Sequence, residues 1–175
     1  MDARFFPMLV LDAVLTGAKG LNLWSSFRVP PPQRRARLYR ALVDGRLASS
    51  VSGALLPTEQ PFVYTISATA TAGTSLASVE HALIAELERV RRDGVTEAEL
   101  AKAKAQLHAR LVFDNDSITH IAHQLGYFET IGASDALVEM PSRIRAVTLE
   151  DVAEAARAVL GPTNRTIGWF EPILE

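Results

Sequence analysis

The chain has no cysteine in its 175 residues. That excludes disulfides, thiolate metal sites and cysteine nucleophiles, and it leaves the redox compartment open. No run approaches the roughly 18 consecutive apolar residues that span a bilayer. The opening Met1-Asp2-Ala3-Arg4-Phe5-Phe6-Pro7 does not read as a signal peptide: it lacks a small-residue cleavage site, and Pro7, Asp12 and Lys19 break its apolar stretch. Neither sign of charge is in excess. The formal net charge of -2 creates no field that would gather nucleic acid or an anionic membrane. Repeats and low-complexity tracts are missing, and so is a nucleophile elbow of the Gly-x-Ser-x-Gly kind. Its nearest approach, Ser52-Gly53, falls inside a predicted strand.

What remains is the composition of an ordinary globular domain, 48% hydrophobic and 22% charged. The length fits one domain that buries roughly 70% of its unfolded surface. The clearest local signal is Asp93-Gly94-Val95-Thr96-Glu97-Ala98-Glu99-Leu100. Before it, Leu76, Val79, Leu83, Leu87 and Val90 recur at helical spacing. Gly94 suits the left-handed end of that helix, while Thr96 with Glu99 forms a capping box for the next. The second helix then buries Leu100, Ala103, Leu107 and Leu111.

Other elements follow from the same rules. The residues from Phe6 to Leu15 predict a deeply buried helix. Pro30-Pro31-Pro32 predicts a stiff turn. Gln33 to Val43 reads as a helix with Leu38, Ala41 and Leu42 inward. Ser49 to Leu56 and Phe62 to Thr69 read as two strands, the second with Phe62, Tyr64, Ile66 and Ala68 on its apolar face. The loop from Pro57 to Pro61 is short enough for an antiparallel hairpin. Asp114-Asn115-Asp116-Ser117 interrupts the helical run, and Ile118, Ile121, Leu125 and Phe128 then resume an apolar face. Pro141 suits a helix start. Thr148 with Asp151 caps a helix carrying Val152, Ala156 and Val159, and Gly161-Pro162 stops it. Arg165 to Phe170 reads as a last strand before Pro172. The order gives an α+β fold, a small and mostly antiparallel sheet packed on several helices. Three strands make a thin sheet, so a strand preceding residue 1 is expected to be missing from it. Residues 1–175 would then be a single domain excised from a longer chain.

No complete active site is legible. His120-Ile121-Ala122-His123 places two imidazoles one helical turn apart, with Asp116 and Glu129 nearby in sequence. A zinc-peptidase helix needs His-Glu-x-x-His or its inverse, with a glutamate to polarise the bound water. No glutamate stands between or beside this pair, so ordinary polar or interfacial histidines fit better. Arg28, Arg34, Arg35, Arg37, Arg40 and Arg46 form one basic cluster that could hold phosphate or carboxylates. Without interleaved aromatics it does not read as a nucleic-acid surface, and a solvated face or salt bridges fit it better. Trp24 and Phe27 lie in a segment without periodicity, where an aromatic either marks a contact surface or tucks over the core.

Several blocks taken in order carry more than any of these motifs. They are Arg37-Leu38-Tyr39-Arg40-Ala41-Leu42, Leu47-Ala48-Ser49-Ser50-Val51-Ser52, Phe62-Val63-Tyr64-Thr65-Ile66, Gly94 to Lys104, and Val147-Thr148-Leu149-Glu150-Asp151-Val152. Together they resemble the pitrilysin/insulinase family of zinc metallopeptidases, and within it the carboxy-terminal half that binds no zinc, or the partner subunit of two-chain members. The resemblance runs from about Phe5 to Pro172. It implies a LuxS/MPP-like metallopeptidase roll and a clamshell in which one half carries His-x-x-Glu-His and zinc. The other half closes the chamber and grips an unfolded peptide. In active members that second half supplies an arginine and a tyrosine near a stretch resembling Gly-Leu-Ala-Tyr-Ser-Val. Here the stretch is Gly45-Arg46-Leu47-Ala48-Ser49-Ser50-Val51. Ser49 stands at the tyrosine position, Val43 or Leu42 at the arginine position, and Arg40 and Arg46 lie close but out of register. The segment Asn22 to Gln33 is longer than the family's usual glycine-rich turn.

The resemblance therefore implies a chain that alone holds no zinc and cleaves nothing. Arg46 and Ser49 are its substrate-contact candidates, and no residue is a catalytic or metal candidate. The implied partners are a zinc-bearing half, fused or separate, and an unfolded peptide, with zinc in that partner half. As an isolated domain the chain could also pair with itself. A purely structural or assembly module of the same fold is the alternative. The bacterial periplasm and the cytoplasm are both compatible with the composition.

Overall fold

The computed structural model describes residues 2–20, 33–60 and 63–171. Its elements run α1 (Phe5–Leu15), a π-helix (Tyr39–Asp44), β1 (Ala48–Leu55), β2 (Tyr64–Ala70), α2 (Leu76–Asp93), α3 (Glu97–Asp114), α4 (Ile118–Thr130), α5 (Ser134–Ala146) and α6 (Leu149–Val159). The fold is α+β, with the small antiparallel sheet packed on helices, as the sequence pattern requires. Helix α1 is apolar but for Asp12, and all of its residues except Pro7 are buried. Phe5, Met8, Val10, Leu11 and Leu15 are fully shielded, and the helix touches α3, α5, α6 and β1. It is the axle of the core.

The register of the sheet pairs Val51 with Ala68, Gly53 with Ile66 and Leu55 with Tyr64. These residues face the helices, while the pairs Ser50/Thr69, Ser52/Ser67 and Ala54/Thr65 face away. Two strands alone are marginal in water. Here a buried polar cluster clamps them to α1. Asp12 Oδ1 accepts from Thr16 Oγ1 (2.5 Å) and from the Tyr64 hydroxyl (2.8 Å), while Lys19 Nζ donates to Asp12 Oδ2 (2.8 Å) and to Thr16 Oγ1 (2.6 Å). Burial and the Asp12 carboxylate push the Tyr64 hydroxyl well above its ordinary pKa, so it stays a neutral donor. Gly53 lies directly over this cluster, where a Cβ would stand 2.4 Å from Asp12 Oδ1 and 2.8 Å from Thr16 Oγ1.

The joint between α2 and α3 has the expected caps. Gly94 takes φ +73°, and Thr96 and Glu99 satisfy each other's backbone N–H groups in a capping box. Arg37 fastens the joint from outside. Its guanidinium donates to both Glu99 carboxylate oxygens (2.7 Å each) and to the Gly94 carbonyl (3.3 Å), and it lies 3.7 Å from the buried Glu86 of α2. This fork–fork geometry is the strong form of a charge-assisted pair. It holds the Glu99 carboxyl down to about 2, with the Arg37 hydrogen bond as the largest cause.

Four elements differ from the sequence expectation. The helix expected over Gln33 to Val43 widens into a π-helix, with Leu38 and Leu42 both fully buried and Ala41 half-buried. Apolar spacing cannot tell that wider turn from an α-helix. On α4, Phe128 is buried as expected, but Ile118, Ile121 and Leu125 are exposed. The helix packs on α5 through its Gln124–Phe128 side, which leaves that stripe outside. Pro141 lies in the interior of α5, where it forgoes one backbone hydrogen bond while Ala136, Met140 and Ile144 bury the helix face. Residues 165–170 join no sheet. Arg165 and Trp169 are instead drawn to Glu88 and Glu80 of α2. Phe62, and the turn expected at Pro30-Pro31-Pro32, lie outside the described residues.

Two outcomes follow for stability. Gly53→Ala forces the new methyl into the Asp12 cluster and should cost about 1–3 kcal/mol in urea unfolding; an unchanged midpoint would refute the tight fit of β1 over Asp12. Arg37→Ala should cost about 2 kcal/mol, because it removes the bidentate partner of Glu99 and leaves the buried Glu86 with Arg89 as its remaining ion-pair partner. The Glu99 carboxyl is depressed in the folded chain, so its contribution is present above the unfolded value of 4.5 and is lost as pH falls toward about 2. Acid unfolding of the Arg37→Ala variant should therefore be flatter than wild type across that window.

Candidate functional site

The outer face of β1–β2 is lined by small hydroxyl side chains. Ser50, Ser52, Thr65, Ser67 and Thr69 are all exposed there, and no charged residue stands among them. Among the described residues β1 pairs only with β2, so each strand keeps one row of backbone N–H and C=O groups without a strand partner. Such rows pair readily with an extended chain.

Backbone irregularity is concentrated where β1 begins. Arg46 has φ +60°, a left-handed conformation that costs a side chain about 1 kcal/mol and is otherwise confined to glycines among the described residues. Three residues on, the ladder steps from Ala48 to Ser50, leaving Ser49 as the extra residue of a β-bulge. The Ser49 hydroxyl donates to the Thr69 carbonyl at 3.2 Å. Bulges and strained residues gather at functional sites, where they aim a side chain. The two expected substrate-contact residues, Arg46 and Ser49, are thus the two irregular positions, and both are exposed. Leu42 is fully buried and Val43 half-buried, so neither supplies what an arginine would at this surface.

The expected basic cluster does not form one patch. Arg37 turns inward to Glu99 and Glu86, whereas Arg34, Arg35, Arg40 and Arg46 are exposed. Arg28, Trp24 and Phe27 lie outside the described residues. His120 and His123 sit one turn apart on α4, half-buried and exposed respectively, while Glu129 accepts a hydrogen bond from Ser134 Oγ. Among the described residues no three histidine, aspartate or glutamate side chains converge as metal ligands. This donor set does not fit zinc. Ser52-Gly53 is a strand pair over Asp12 with no nucleophile geometry. Sequence reasoning missed the Asp12, Thr16, Lys19 and Tyr64 cluster. Its signal was present: Asp12 and Thr16, four apart, are polar positions on an otherwise apolar helix.

Residues 1–107 match the sequence profile of the family described as Peptidase M16 inactive domain. The chain belongs to that family. Its M16 fold superposes on the inactive peptidase domain of a candidate zinc protease from Bordetella parapertussis with a TM-score of 0.82. The two share 23% identity over 98% of this chain and 86% of that one. A candidate zinc protease from Bordetella pertussis Tohama I gives 0.79 at 23% identity, covering 98% of this chain and 87% of that one. A protease from Helicobacter pylori gives 0.76 at 17% identity, where 90% of this chain covers only 35% of the larger one. At these identities the likeness carries the fold alone. No curated protein matches the chain. No helix among the described residues of this M16 domain is long and apolar enough to cross a membrane.

Arg46→Gly should raise stability by about 0.5–1 kcal/mol, because glycine takes φ +60° without strain. Urea unfolding checks this, and a loss of stability would show that the Arg46 side chain makes up for its backbone.

Proposed function

We propose that this chain is the non-catalytic half of a zinc metallopeptidase, closing a peptide chamber and holding an unfolded substrate for a zinc-bearing half. In this reading a His-x-x-Glu-His half, in another domain or chain, holds the zinc whose activated water attacks the peptide carbonyl. This chain contributes binding and orientation. An extended peptide adds its backbone to a free edge of β1–β2, and the serine and threonine hydroxyls of the outer face satisfy polar groups of the bound chain. Arg46, exposed at the head of β1, offers a guanidinium to a carbonyl or carboxylate of that peptide. The observation that carries the reading is the pairing of strain and bulge at Arg46 and Ser49 beside an uncharged, hydroxyl-lined strand face. Family membership supports it, as does a sequence without the zinc motif.

A second reading, a structural module of the same fold with no part in proteolysis, is favoured by Ser49 and the buried Leu42 at the positions where active members carry tyrosine and arginine. One reconstitution separates the two. The purified chain is mixed with a His-x-x-Glu-His chain from the same genome and assayed on an unfolded, internally quenched peptide. The proposal expects no turnover by the chain with zinc alone, and an acceleration of about tenfold or more on mixing, equivalent to about 1.4 kcal/mol of barrier. Arg46→Ala should remove most of that gain. Zinc-dependent turnover by the isolated chain, or a complex whose rate equals that of the zinc-bearing half alone, would overturn it.

A further inference from the structure

Helix α2 carries four carboxylates, and three of them meet arginines. Glu86 pairs with Arg89 (2.8 Å), Glu88 with Arg91 (2.5 Å) and Asp93 with Arg92 (2.8 Å). Glu80 has no cation among the described residues. Its bond there is to a neutral donor: the Trp169 indole N–H reaches Glu80 Oε2 at 2.7 Å. Arg165, which donates to Glu88 at 3.3 Å, ties the chain before Trp169 to the same helix. Between the indole and the helix lies a cleft of about 270 Å³, lined by Ala77, Glu80, His81, Ile84, Ala85 and Trp169. Spacings of three, four, seven and eight put the five helix residues on one face. Ala77 and Ala85 keep the helix surface low there. Ala77, His81 and Ala85 are exposed, Glu80 and Ile84 are half-buried, and Trp169 is 55% exposed.

Whole small-molecule ligands need roughly 300–1,000 Å³, so this cleft takes a single side chain and leaves the rest of its ligand outside. Its chemistry selects an amine on an apolar stem. A carboxylate without a cation attracts positive charge, and an indole face is the best aromatic partner for one. Ile84 and the two alanines offer apolar surface to a methylene stem. No lysine or arginine lines the cleft to compete. A guanidinium fork takes both oxygens of a carboxylate. With Oε2 already accepting from the indole, Glu80 offers Oε1, which suits the point charge of an ammonium. We propose that the cleft between Trp169 and α2 binds the side chain of a lysine in a peptide. The ammonium lies on Glu80, and the methylenes run along Ile84 and the indole. The proposal does not rest on the proteolytic reading, and the hydroxyl face of β1–β2 plays no part in it.

The chain has two tryptophans, so its spectrum holds two indole N–H resonances, and Trp169→Phe identifies the one at the cleft. A blocked pentapeptide with one central lysine, titrated into the full chain, should shift that resonance to saturation at millimolar concentrations. Added salt should weaken the binding. The same peptide with norleucine for lysine should bind about tenfold more weakly, and with arginine about threefold more weakly. Glu80→Gln keeps an oxygen to accept from the indole but removes the charge, and should weaken the lysine peptide about tenfold. The control Glu97→Gln, at an exposed carboxylate in the first turn of α3, should leave binding unchanged. The comparison of peptides is made on the unaltered chain and stands whatever the substitutions do to the fold. An unmoved Trp169 resonance, or equal binding of the lysine and norleucine peptides, would overturn the proposal. So would an arginine peptide that binds as tightly as the lysine peptide, or equal losses with Glu80→Gln and Glu97→Gln.

Discussion

One buried carboxylate holds the two-stranded sheet to the rest of the molecule. Asp12 sits on the central helix with 5% of its surface exposed and receives hydrogen bonds from Thr16, Lys19 and Tyr64. Its lone pairs reach across from α1 to β2, and Gly53 brings β1 close enough to cover them. A two-stranded sheet cannot stand in water without such support. The outer hydroxyl face, the bulge at Ser49 and the left-handed turn at Arg46 all depend on β1 and β2 lying flat on that cluster. A lone charge in this place would be costly. Its three partners satisfy it.

A second constraint acts at the other side of the core. Arg37 ties the capping box of α3 to the Gly94 carbonyl at the end of α2 by hydrogen bonds and lies 3.7 Å from the buried Glu86 of α2, so the joint between the two long helices is fastened by one guanidinium. The same arginine lies just before the π-helix that leads into β1. Core, helix joint and strand entrance are therefore mechanically linked through one short stretch of chain. The other arginines of that stretch remain at the surface, which separates the structural guanidinium from those free to meet a ligand.

Much of this was legible because local rules and tertiary contacts agree. Thr96 with Glu99 and Thr148 with Asp151 form the capping boxes that their spacing implies, and the alternation in Tyr64, Ile66 and Ala68 does face the helices. The failures share a cause. Ile118, Ile121 and Leu125 have flawless helical spacing, but periodicity says which residues lie together and not whether another element covers them. Arg165 to Phe170 has strand composition, but a strand needs a neighbour. At the site, the irregular positions Arg46 and Ser49 were reached through family resemblance, whereas their strain and bulge are backbone properties that side-chain patterns do not report. The inward turn of Arg37 was hidden within a run of similar residues, because its partners lie 49 and 62 positions away in sequence.

Whether the β1–β2 face receives a peptide for a catalytic centre held elsewhere is tested most directly by hydrogen exchange. The measurement is made on this chain in complex with its zinc-bearing half, with and without an unfolded peptide whose cleavage is blocked. The account predicts slowed amide exchange across Ala48–Leu55 and Tyr64–Ala70 when the peptide is present, with the helices α3 to α6 unaffected. Slowed exchange confined to those helices, with both strands unchanged, would contradict it.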